Sequence, residues 1–219
     1  MTRSRTPAAS EPRGADAVSN NDRTIQSYEG YARKYAHAVS TRPSGVAEDA
    51  LRRMVDIVQP GGTVLEVGSG PGWDADFVES LGVVVRRTDV TIAFREFQSE
   101  RGKQVDALNV ISDDLGGPYD AVMALYVLQH IDRHLLDPVL DNVWRALRPE
   151  GVLLVSIREG TGELWECSEV SGDYHVVLWS QDGFATRLAN AGLRVDWSAQ
   201  SVDEDGAWLT ILARKVQCA

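Results

Sequence analysis

Four residues in the first half of the chain combine one acid with three glycines at a regular spacing. Glu66, Gly68, Gly70 and Gly72 follow a short apolar run and precede residues suited to a helix. Glycine allows a positive φ or the close approach of a ligand to bare backbone. A strand, a glycine-rich turn and a helix in this order form the nucleotide-binding corner of a doubly wound α/β sheet. We therefore expect a nucleotide-like ligand above the carboxyl end of this strand.

The acid and a tryptophan narrow the choice of ligand. The dinucleotide fingerprint needs a third glycine where this chain has Trp73, which disfavours an NAD-dependent oxidoreductase. A carboxylate from Glu66 would repel phosphates and attract a cation, and S-adenosylmethionine carries an ammonium and a sulfonium but no phosphate. The stretch Thr63–Asp74 resembles the first motif of class I S-adenosylmethionine-dependent methyltransferases, an acid followed by three alternating glycines. The resemblance implies that S-adenosylmethionine is the cofactor.

A second acid follows at the spacing at which this type of fold contacts a ribose. Asp89 comes 19 residues after Gly70, at the end of a strand predicted over 83–88. A carboxylate there accepts hydrogen bonds from both ribose hydroxyls at once. It can also cap the helix predicted over 92–101, so both interpretations stay open. An NAD enzyme would have the same acid, and Asp89 therefore indicates adenosine binding without choosing the cofactor.

Two consecutive motifs later in the chain strengthen the resemblance. Tyr119–Ala124 resembles the fourth-strand motif of the same methyltransferases, an aromatic residue and an aspartate followed by a valine-containing strand. Val127–Ile131 is similar to the Val-Leu-x-His-(Ile/Val) sequence of the small-molecule members. The resemblance implies that the chain leaves the strand over the reaction centre, where the backbone of Leu125 and the side chain of Tyr126 meet the methionine part of the cofactor.

His130 and its neighbour Gln129 are expected near the transferred methyl group. The imidazole of His130 titrates near neutrality, so it could remove a proton from a hydroxyl or an amine. Alternatively it holds the loop through hydrogen bonds. Because the methyl donor is already activated, a base is needed only if the nucleophile arrives protonated. His130 is therefore a candidate catalytic residue, and Gln129 a candidate contact of the acceptor.

An aromatic stripe lies near the N-terminus. A helix is predicted over 23–39 with Asp22 as its cap, and Tyr28, Tyr31 and Tyr35 share one face of it. This stripe either packs the helix on the sheet or covers the cofactor. The Tyr-x-x-x-Ala-x-x-Tyr pattern that ends at Tyr35 is similar to the cap helix of small-molecule methyltransferases. That resemblance implies that Tyr35 reaches the methionine carboxylate.

The resemblance also assigns an adenine contact to a short third strand. Asp106 and Ala107 match the acid that accepts from the adenine amino group and the residue whose N–H meets the ring. Asp113 and Asp114 compete for the same alignment, and a solvated loop acid is the alternative. The predicted cofactor contacts are Tyr35, Glu66, Gly68, Ser69, Gly70, Asp89, Asp106, Ala107, Leu125 and Tyr126.

A loop rich in charged residues follows the fifth predicted strand, at the edge where open α/β sheets bind their substrates. Its glycines and its mix of charges suit a mobile binding loop. Arg158 could hold a carboxylate or phosphate, and Glu159 could act as a base or hold a cation. Trp165 completes the predicted acceptor contacts. The alternative is a solvated loop with internal salt bridges.

The elements that position these residues alternate between strand and helix and end in two strands. The predicted fold class is α/β: a Rossmann-like doubly wound seven-stranded sheet, mostly parallel, with helices on both faces and a short N-terminal helical cap. A C-terminal antiparallel hairpin over 193–213 is expected for the methyltransferase sheet and not for a plain dinucleotide-binding domain. We divide the chain into a flexible leader (1–22), a helical cap (23–60) and a class I methyltransferase domain (61–219).

Composition restricts the partners and the compartment. The 219-residue chain has a formal net charge of −10, which argues against a broad phosphate-binding face and hence against a nucleic-acid partner. The 2 cysteines form no disulfide framework, which fits a reducing compartment. We see no signal peptide, no bilayer-spanning run and no metal-ligand cluster in the sequence. We expect a cytoplasmic monomer or homodimer without a membrane partner.

These observations favour a methyltransferase that acts on a small molecule or a short peptide. A nucleic-acid methyltransferase would keep the cofactor site but should add a basic face. A non-enzymatic protein of the same fold would keep the sheet and lose the pocket, whereas Glu66, the glycines and Asp89 are intact. The sequence does not identify the acceptor, and it does not separate O-methylation from N- or C-methylation.

Overall fold

The computed structural model describes residues 18–216, which contain six α-helices and nine β-strands. The helices are α1 (Asn20–Ala38), α2 (Gly45–Val58), α3 (Trp73–Ser80), α4 (Ile92–Glu100), α5 (Leu136–Ala146) and α6 (Gln181–Asn190). The strands are β1 (Thr63–Val67), β2 (Val84–Asp89), β3 (Asp106–Ala107), β4 (Tyr119–Ala124), β5 (Leu147–Arg158), β6 (Glu163–Ser168), β7 (Gly172–Val177), β8 (Leu193–Asp203) and β9 (Gly206–Lys215). Most of the predicted leader lies outside the described residues.

Seven of these strands form one sheet in the order β3-β2-β1-β4-β5-β9-β8. The first five strands of this order run parallel, whereas β9 is antiparallel to both β5 and β8. The predicted fold class, including the C-terminal hairpin, is confirmed. The direction in which strands are added reverses between β1 and β4. Open α/β sheets bind ligands in the crevice at such a point, outside the carboxyl ends of the strands.

Strand β1 shows how the sheet comes to carry helices on both faces. Leu65 and Val67 belong to the core that includes residues of α5 and α6, whereas Val64 packs with α2 and α3. Alternate residues of a strand point to opposite faces, so an almost continuous apolar strand is buried on both. Burying one such side chain contributes about 1.5–3 kcal/mol. Packing from both sides therefore fixes the end of β1, where Glu66 lies.

The cap helix α1 begins earlier than predicted and has a different cap. Ser19, not Asp22, is the N-cap residue, and its hydroxyl accepts from the Asp22 N–H at 3.1 Å. Asp22 instead lies in the first turn, where a carboxylate still complements the positive end of the helix dipole. The small side chains of Ala32 and Ala36 are buried where α1 contacts α4 and β7. The helix therefore includes residues 20–22, which the prediction assigned to the leader.

A side chain of α1 closes the N-terminus of α4. The Glu29 carboxylate accepts from the backbone N–H groups of Ile92 at 2.7 Å and Ala93 at 2.9 Å. Thr91, at the N-cap position of α4, makes no capping side-chain bond. Glu29 thus satisfies two of the free N–H donors and places negative charge at the positive end of the helix dipole. This contact ties the cap to a helix that flanks the sheet.

The segment after β5, predicted to be a mobile loop, is instead largely a hairpin. Strands β6 and β7 pair antiparallel outside the main sheet, and Trp165 lies opposite His175. The loop prediction was wrong because cross-strand packing of this kind, invisible in the local composition, stabilises the extended segment. The hairpin is joined to α1 through its main chain. The His175 N–H donates to the Thr24 hydroxyl at 3.0 Å, and the Ser27 hydroxyl donates to the Ser171 carbonyl at 3.3 Å.

Within residues 18–216, no helix has the length and apolar character that crossing a membrane requires.

Candidate cofactor and acceptor site

Three glycines with positive φ shape the turn after β1. The φ angles of Gly68, Gly70 and Gly72 are 65°, 52° and 83°. A Cβ built on Gly68 would lie 2.5 Å from the Val127 side chain, so only glycine lets the loop after β4 approach the turn this closely. A Cβ on Gly70 would meet no atom within 4 Å. The turn is therefore packed on one side and faces open space on the other, as a ligand cradle requires.

Buried polar side chains from β2 and α4 hold this turn in place. Gln98 donates to the Ser69 hydroxyl and to the Gly70 carbonyl, each at 2.9 Å. Arg87 donates to the Gly72 carbonyl at 3.2 Å and to the Gln98 side-chain oxygen at 3.0 Å. These bonds fix the backbone that the cofactor is expected to meet. Sequence reasoning missed Arg87 and Gln98 because neither belongs to a recognisable motif.

Glu66 is buried beneath the turn and accepts a hydrogen bond from the Ser69 hydroxyl. Burial raises the pKa of Glu66 from its ordinary 4.5 to about 8, although the Ser69 bond acts in the opposite direction. The negative charges of Asp74 and Asp89 raise this pKa further. The expectation of a permanently charged carboxylate therefore needs correction. Without a nearby cation Glu66 is largely protonated at neutral pH, because burial penalises its charge.

Asp89 lies at the end of β2 as predicted, with its two carboxylate oxygens directed at backbone N–H groups. One oxygen accepts from Gly70 and the other from Thr91, both at 2.7 Å. Burial raises the pKa of Asp89 in spite of these two bonds, which lower it. Thr91, not Asp89, occupies the N-cap position of α4. Each carboxylate oxygen keeps a further lone pair, so the predicted ribose contact is sterically and chemically possible.

The two residues of β3 face opposite ways. Ala107 is the register partner of Asp89, at the carboxyl edge of the sheet. The Asp106 carboxylate instead pairs with Arg86, with 2.9 Å between its oxygen and the Arg86 Nε. Neighbouring residues of a strand alternate in direction, so Ala107 and Asp106 cannot both face the crevice through their side chains. The adenine contact of Asp106 stays a prediction, and its carboxylate would have to serve Arg86 as well.

The chain leaves β4 through Leu125 and a residue with left-handed backbone. Tyr126 has φ 60°, which is uncommon for any residue but glycine. Its N–H donates to the buried Ser156 hydroxyl at 2.7 Å, and its ring centroid lies 4.9 Å from that of Trp208. Backbone strain of this kind concentrates at functional sites. The sheet thus brings Tyr126 to the predicted edge, where its contact with the methionine part stays a prediction.

His130 lies in a short 3-10 turn and is held from two sides. Its Nδ1 donates to the His175 carbonyl at 2.8 Å, so its Nε2 is the acceptor. That Nε2 lies 3.3 Å from the Gln129 amide nitrogen and 3.5 Å from the Tyr28 hydroxyl. Burial lowers the pKa of His130 to about 4, which leaves the ring neutral and weakly basic at pH 7. Of the two predicted roles, this geometry favours the one in which His130 holds the loop.

The tyrosine stripe of α1 enters an aromatic cluster. The ring centroid of Tyr28 is 5.8 Å from those of Tyr35 and Phe94 and 6.4 Å from that of Tyr174. Burial raises the pKa of Tyr35 to about 12, so its phenol stays protonated. Tyr31 is 38% exposed and lies at the edge of the helix. The packing role expected for the stripe applies to two of its three tyrosines, and the cofactor contact of Tyr35 stays a prediction.

Arg158, predicted to bind an acidic group of the acceptor, is engaged by the protein itself. It is buried, and its two terminal nitrogens donate to the two carboxylate oxygens of Glu166 at 3.2 and 3.1 Å. It also donates to the carbonyl of Asp205 in the β8–β9 turn. This bidentate pair joins the β6–β7 hairpin to the main sheet. The internal salt bridge weighed as the alternative is what the structure contains.

The other two predicted acceptor contacts lie on the surface. The Glu159 carboxylate accepts from the Gln200 amide on β8, at 2.9 and 3.0 Å. Trp165 is 37% exposed, and the Arg23 guanidinium carbon lies 4.0 Å from its ring centroid. The structure therefore does not bring Arg158, Glu159 and Trp165 together into one acceptor subsite.

Asp74 is an acid at the site to which sequence reasoning gave no role. It follows the glycine turn in the first turn of α3, and burial raises its pKa to about 6. Its charge also raises the pKa of Tyr35 and of Tyr126, so its carboxylate lies near both phenols. A second acid directly after the glycine motif was the available signal. Partly buried acids in a cleft are candidates for ligand binding.

These residues fit S-adenosylmethionine. The space at Gly70 admits a ligand close to the backbone, and Asp89 retains lone pairs for hydroxyl groups. Glu66 and Asp74 can each present a negative charge to the ammonium or the sulfonium of the cofactor. Because the cofactor has no phosphate, the site needs no phosphate-binding cluster. Among residues 18–216, no group of three His, Cys, Asp or Glu side chains is arranged to hold a metal ion.

The fold and the site together define a Rossmann-like enzyme with the architecture of class I methyltransferases. A family model described as a methyltransferase domain matches residues 34–197. The chain belongs to this methyltransferase domain family and is an S-adenosylmethionine-dependent enzyme. A comparison with curated proteins gives no match.

Solved structures share the fold at low sequence identity. One is Burkholderia thailandensis 1,6-didemethyltoxoflavin-N1-methyltransferase with S-adenosylhomocysteine, with TM-score 0.68 and 17% identity over 94% of each chain. Another is Synechocystis magnesium protoporphyrin IX methyltransferase with S-adenosylmethionine, with TM-score 0.67 and 11% identity over 92% of this chain and 100% of that one. A third is the complex of the Haloferax volcanii Trm112 activator and a methyltransferase, with TM-score 0.71 and 15% identity over 90% of this chain and 99% of that one.

Proposed function

We propose that the chain moves a methyl group from S-adenosylmethionine to an oxygen or nitrogen nucleophile of a small molecule or short peptide, in specialised metabolism in the cytoplasm. The observation that carries this proposal is the cover over the crevice. Helix α1 and the β6–β7 hairpin meet at the loop after β4, where Tyr28, Tyr174 and His130 pack together. Such a cover suits a small acceptor better than a folded macromolecule. The toxoflavin and protoporphyrin enzymes named above also act on small molecules.

The proposed cofactor contacts divide by the part of the ligand. The backbone of Gly68, Ser69 and Gly70 approaches the ligand, and Asp89 accepts from the ribose hydroxyls. Ala107, beside Asp89 in the sheet, stands at the adenine end.

At the opposite end, Tyr35, Leu125 and Tyr126 surround the methionine part. Asp74 belongs to this group because its negative charge raises the pKa of both Tyr35 and Tyr126. The aromatic rings exclude water from this end of the site.

The cofactor supplies an activated methyl group, which the nucleophile displaces in line. The protein therefore contributes mainly by alignment, which can lower the barrier by about 7–11 kcal/mol. Tyr126 is held by its bond to Ser156, and His130 is held by its bond to the His175 carbonyl. In this proposal His130 positions the loop against the acceptor and accepts a hydrogen bond at Nε2, and it does not take the proton.

Calorimetric titration with S-adenosylmethionine, S-adenosylhomocysteine and NAD tests the proposal first. We expect micromolar binding of the two sulfur nucleotides and none of NAD. Asp89→Ala should weaken both sulfur nucleotides at least tenfold, since losing a charged hydrogen-bond partner costs about 1.5–3 kcal/mol. Asp141→Ala, an exposed acid on α5, is the matched control and should bind as wild type. Binding of NAD alone, or unchanged affinity in Asp89→Ala, would contradict the assignment. A screen with labelled methyl donor then identifies the acceptor.

A further inference from the structure

Five aromatic rings lie on the cap, on the two hairpins and in the loop after β4. Tyr28, Tyr35 and Tyr174 form one side, in the aromatic cluster of α1 and β7. Tyr126 and Trp208 form the other side, with their centroids 4.9 Å apart. The phenol of Tyr126 acts on the pKa of Tyr35, so the two sides approach each other. The faces of tyrosine and tryptophan rings attract cations.

A positive group of the protein already lies against this aromatic wall. The guanidinium carbon of Arg158 is 5.1 Å from the ring centroid of Trp208. Its charge is balanced by the bidentate pair with Glu166, whose negative charge also raises the pKa of Tyr174. Arg158 thus lies over one ring of the wall, and its pair with Glu166 leaves no excess positive charge for an anionic ligand.

Carboxylates give the wall a net negative charge. Asp203, in the β8–β9 turn, accepts from the Trp208 indole N–H at 2.9 Å. The charge of Asp205 in the same turn reaches Tyr28 and Tyr35, whose pKa values it raises. Asp74 adds a third carboxylate from the side of the glycine turn. The bound cofactor brings its own charges, but these acids approach the aromatic rings from two places, the β8–β9 turn and helix α3.

The side-chain oxygen of the buried Gln129 accepts no hydrogen bond within residues 18–216. Gln129 is 3% exposed, and its nitrogen donates to the Tyr126 carbonyl at 2.7 Å and faces His130 Nε2 at 3.3 Å. These two acceptors fix the amide orientation, so Oε1 is the free end. That oxygen has no partner within residues 18–216. Buried acceptors are normally satisfied, and an N–H group of a ligand would satisfy this one.

We propose that the acceptor is an amine that enters this site as its ammonium ion, so that the chain is an N-methyltransferase of cationic amines. The proposal rests on the proposed function and narrows its O-or-N acceptor to nitrogen. Aromatic faces, carboxylates and the free Gln129 oxygen all favour a positively charged N–H donor over a neutral alcohol or an anion. Asp203 and Asp205 recognise the charge, and Gln129 orients the nitrogen.

The chemistry of such an acceptor includes one proton release. The ammonium loses a proton to water, since only the neutral amine has a lone pair for displacement. The nitrogen–carbon bond then forms while the carbon–sulfur bond breaks, and the bonding pair stays on sulfur. The products are a methylated ammonium and S-adenosylhomocysteine. No side-chain base is required, which is consistent with the low pKa of His130.

Three probes of nearly equal size test the charge preference without measuring turnover: 2-phenylethylamine, 2-phenylethanol and phenylacetate. Each is titrated into protein saturated with S-adenosylhomocysteine, and binding is followed by calorimetry or ligand-observed NMR. We expect the amine to bind at least about tenfold more tightly than the alcohol, and the carboxylate more weakly still. Equal binding of the three probes, tighter binding of the carboxylate, or no binding of the amine would overturn the proposal.

Substitutions test whether Asp203 and Asp205 cause the preference for the amine. The double substitution Asp203→Asn and Asp205→Asn keeps the size of both side chains and should weaken the amine at least about tenfold, while the alcohol is unaffected. Glu169→Gln removes an equal charge at the exposed tip of the neighbouring hairpin and should leave amine binding unchanged. Unchanged amine affinity in the double variant would overturn the proposal. Failure of S-adenosylhomocysteine to bind at all would instead refute the proposed function.

Discussion

At the scale of single residues, the candidate site contains acids whose pKa values are raised by burial. Glu66 has a pKa of about 8 and Asp74 one of about 6, each raised chiefly by burial. A positive ligand group nearby favours the charged form of both. Binding of a cationic cofactor is therefore coupled to the release of protons from the protein.

For Glu66 this coupling predicts a pH-dependent affinity. A cation lowers the pKa of Glu66, so binding releases a proton at pH values between this lowered pKa and the value of about 8 in the free protein. We expect the dissociation constant of S-adenosylmethionine to fall by about tenfold between pH 6 and pH 8. Calorimetry in buffers of different ionisation enthalpy counts the protons released. An affinity independent of pH over this range, with no proton release, would show that Glu66 does not sense the cofactor.

The substitution Glu66→Gln tests how the carboxyl group affects the free energy of unfolding and the affinity for the cofactor. The folded-state pKa lies above the unfolded one, so the carboxyl destabilises the fold progressively as the pH rises from 4.5 to 8. The substitution should therefore raise the free energy of unfolding at pH 7 by about 3 kcal/mol and change it little at pH 4.5. It should also abolish the pH dependence of cofactor affinity. Glu169→Gln, which is exposed, is the control for both measurements.

Sequence reasoning at this scale identified the positions of acids and glycines but not the partners of charged side chains. Glu66 and Asp89 follow strands directly, so the fold alone places them at the crevice. Asp106 and Arg158 were assigned to ligands, whereas their charges pair with Arg86 and Glu166. Pairing depends on which strands become neighbours and which way each residue points, and no local motif records that.

At the scale of elements, the cover of the site consists of α1 and the β6–β7 hairpin. Helix α1 is fixed at its N-terminal end to the hairpin and in its middle to α4, through Thr24 and Glu29. The hairpin is fixed to the sheet by the Arg158–Glu166 pair. We therefore expect that cofactor entry requires the release of at least some of these contacts.

The substitution Glu29→Ala tests how the cap is held. It leaves the first N–H groups of α4 without their acceptor, which should cost about 1–2 kcal/mol of stability. We also expect faster dissociation of S-adenosylhomocysteine in stopped-flow measurements, because α1 opens more readily. Glu96→Ala, an exposed acid on α4 itself, should change neither quantity. Wild-type unfolding and dissociation rates in Glu29→Ala would mean that α1 is held by its apolar face alone.

Elements with strong periodicity or clear caps were predictable, and those stabilised by distant contacts were not. The signals for helix α6 are local, because Ser180 caps it and Gly192 follows its end, and the terminal hairpin was predicted over 193–213. The β6–β7 hairpin was missed because its stability comes from packing on α1 and from a buried ion pair. The sheet order itself followed from family resemblance, not from local pattern.

At the scale of the whole molecule, negative charge dominates. The chain has a formal net charge of −10, and Asp203 at the β8–β9 turn contributes to it beside Trp208. Like charges repel a polyanion over the distance of about one Debye length, near 10 Å at 0.1 M salt. Small cationic ligands are attracted by the same field.

This charge predicts the absence of nucleic-acid binding. Fluorescence anisotropy of labelled single-stranded RNA, duplex DNA and a transfer RNA at 50 mM salt should show no association at micromolar protein, because few basic groups are available to replace counterions. Low salt is the most permissive condition, so it makes the test severe. Micromolar binding that weakens steeply with salt would reveal a local basic patch and support the nucleic-acid alternative.

Helix α1 is held largely by hydrogen bonds from its side chains to main-chain atoms of the hairpin and of the loop after β4. Asn21 donates to the His130 carbonyl, Thr24 accepts from the His175 N–H, and Ser27 donates to the Ser171 carbonyl. Hydrogen bonds to main-chain atoms do not depend on the side chain of the residue that supplies those atoms. Substitutions at Ser171 and His175 therefore leave these bonds in place, whereas Glu166 of the same hairpin is held through its side chain. The side chains at these two positions can change while the main-chain bonds to α1 persist.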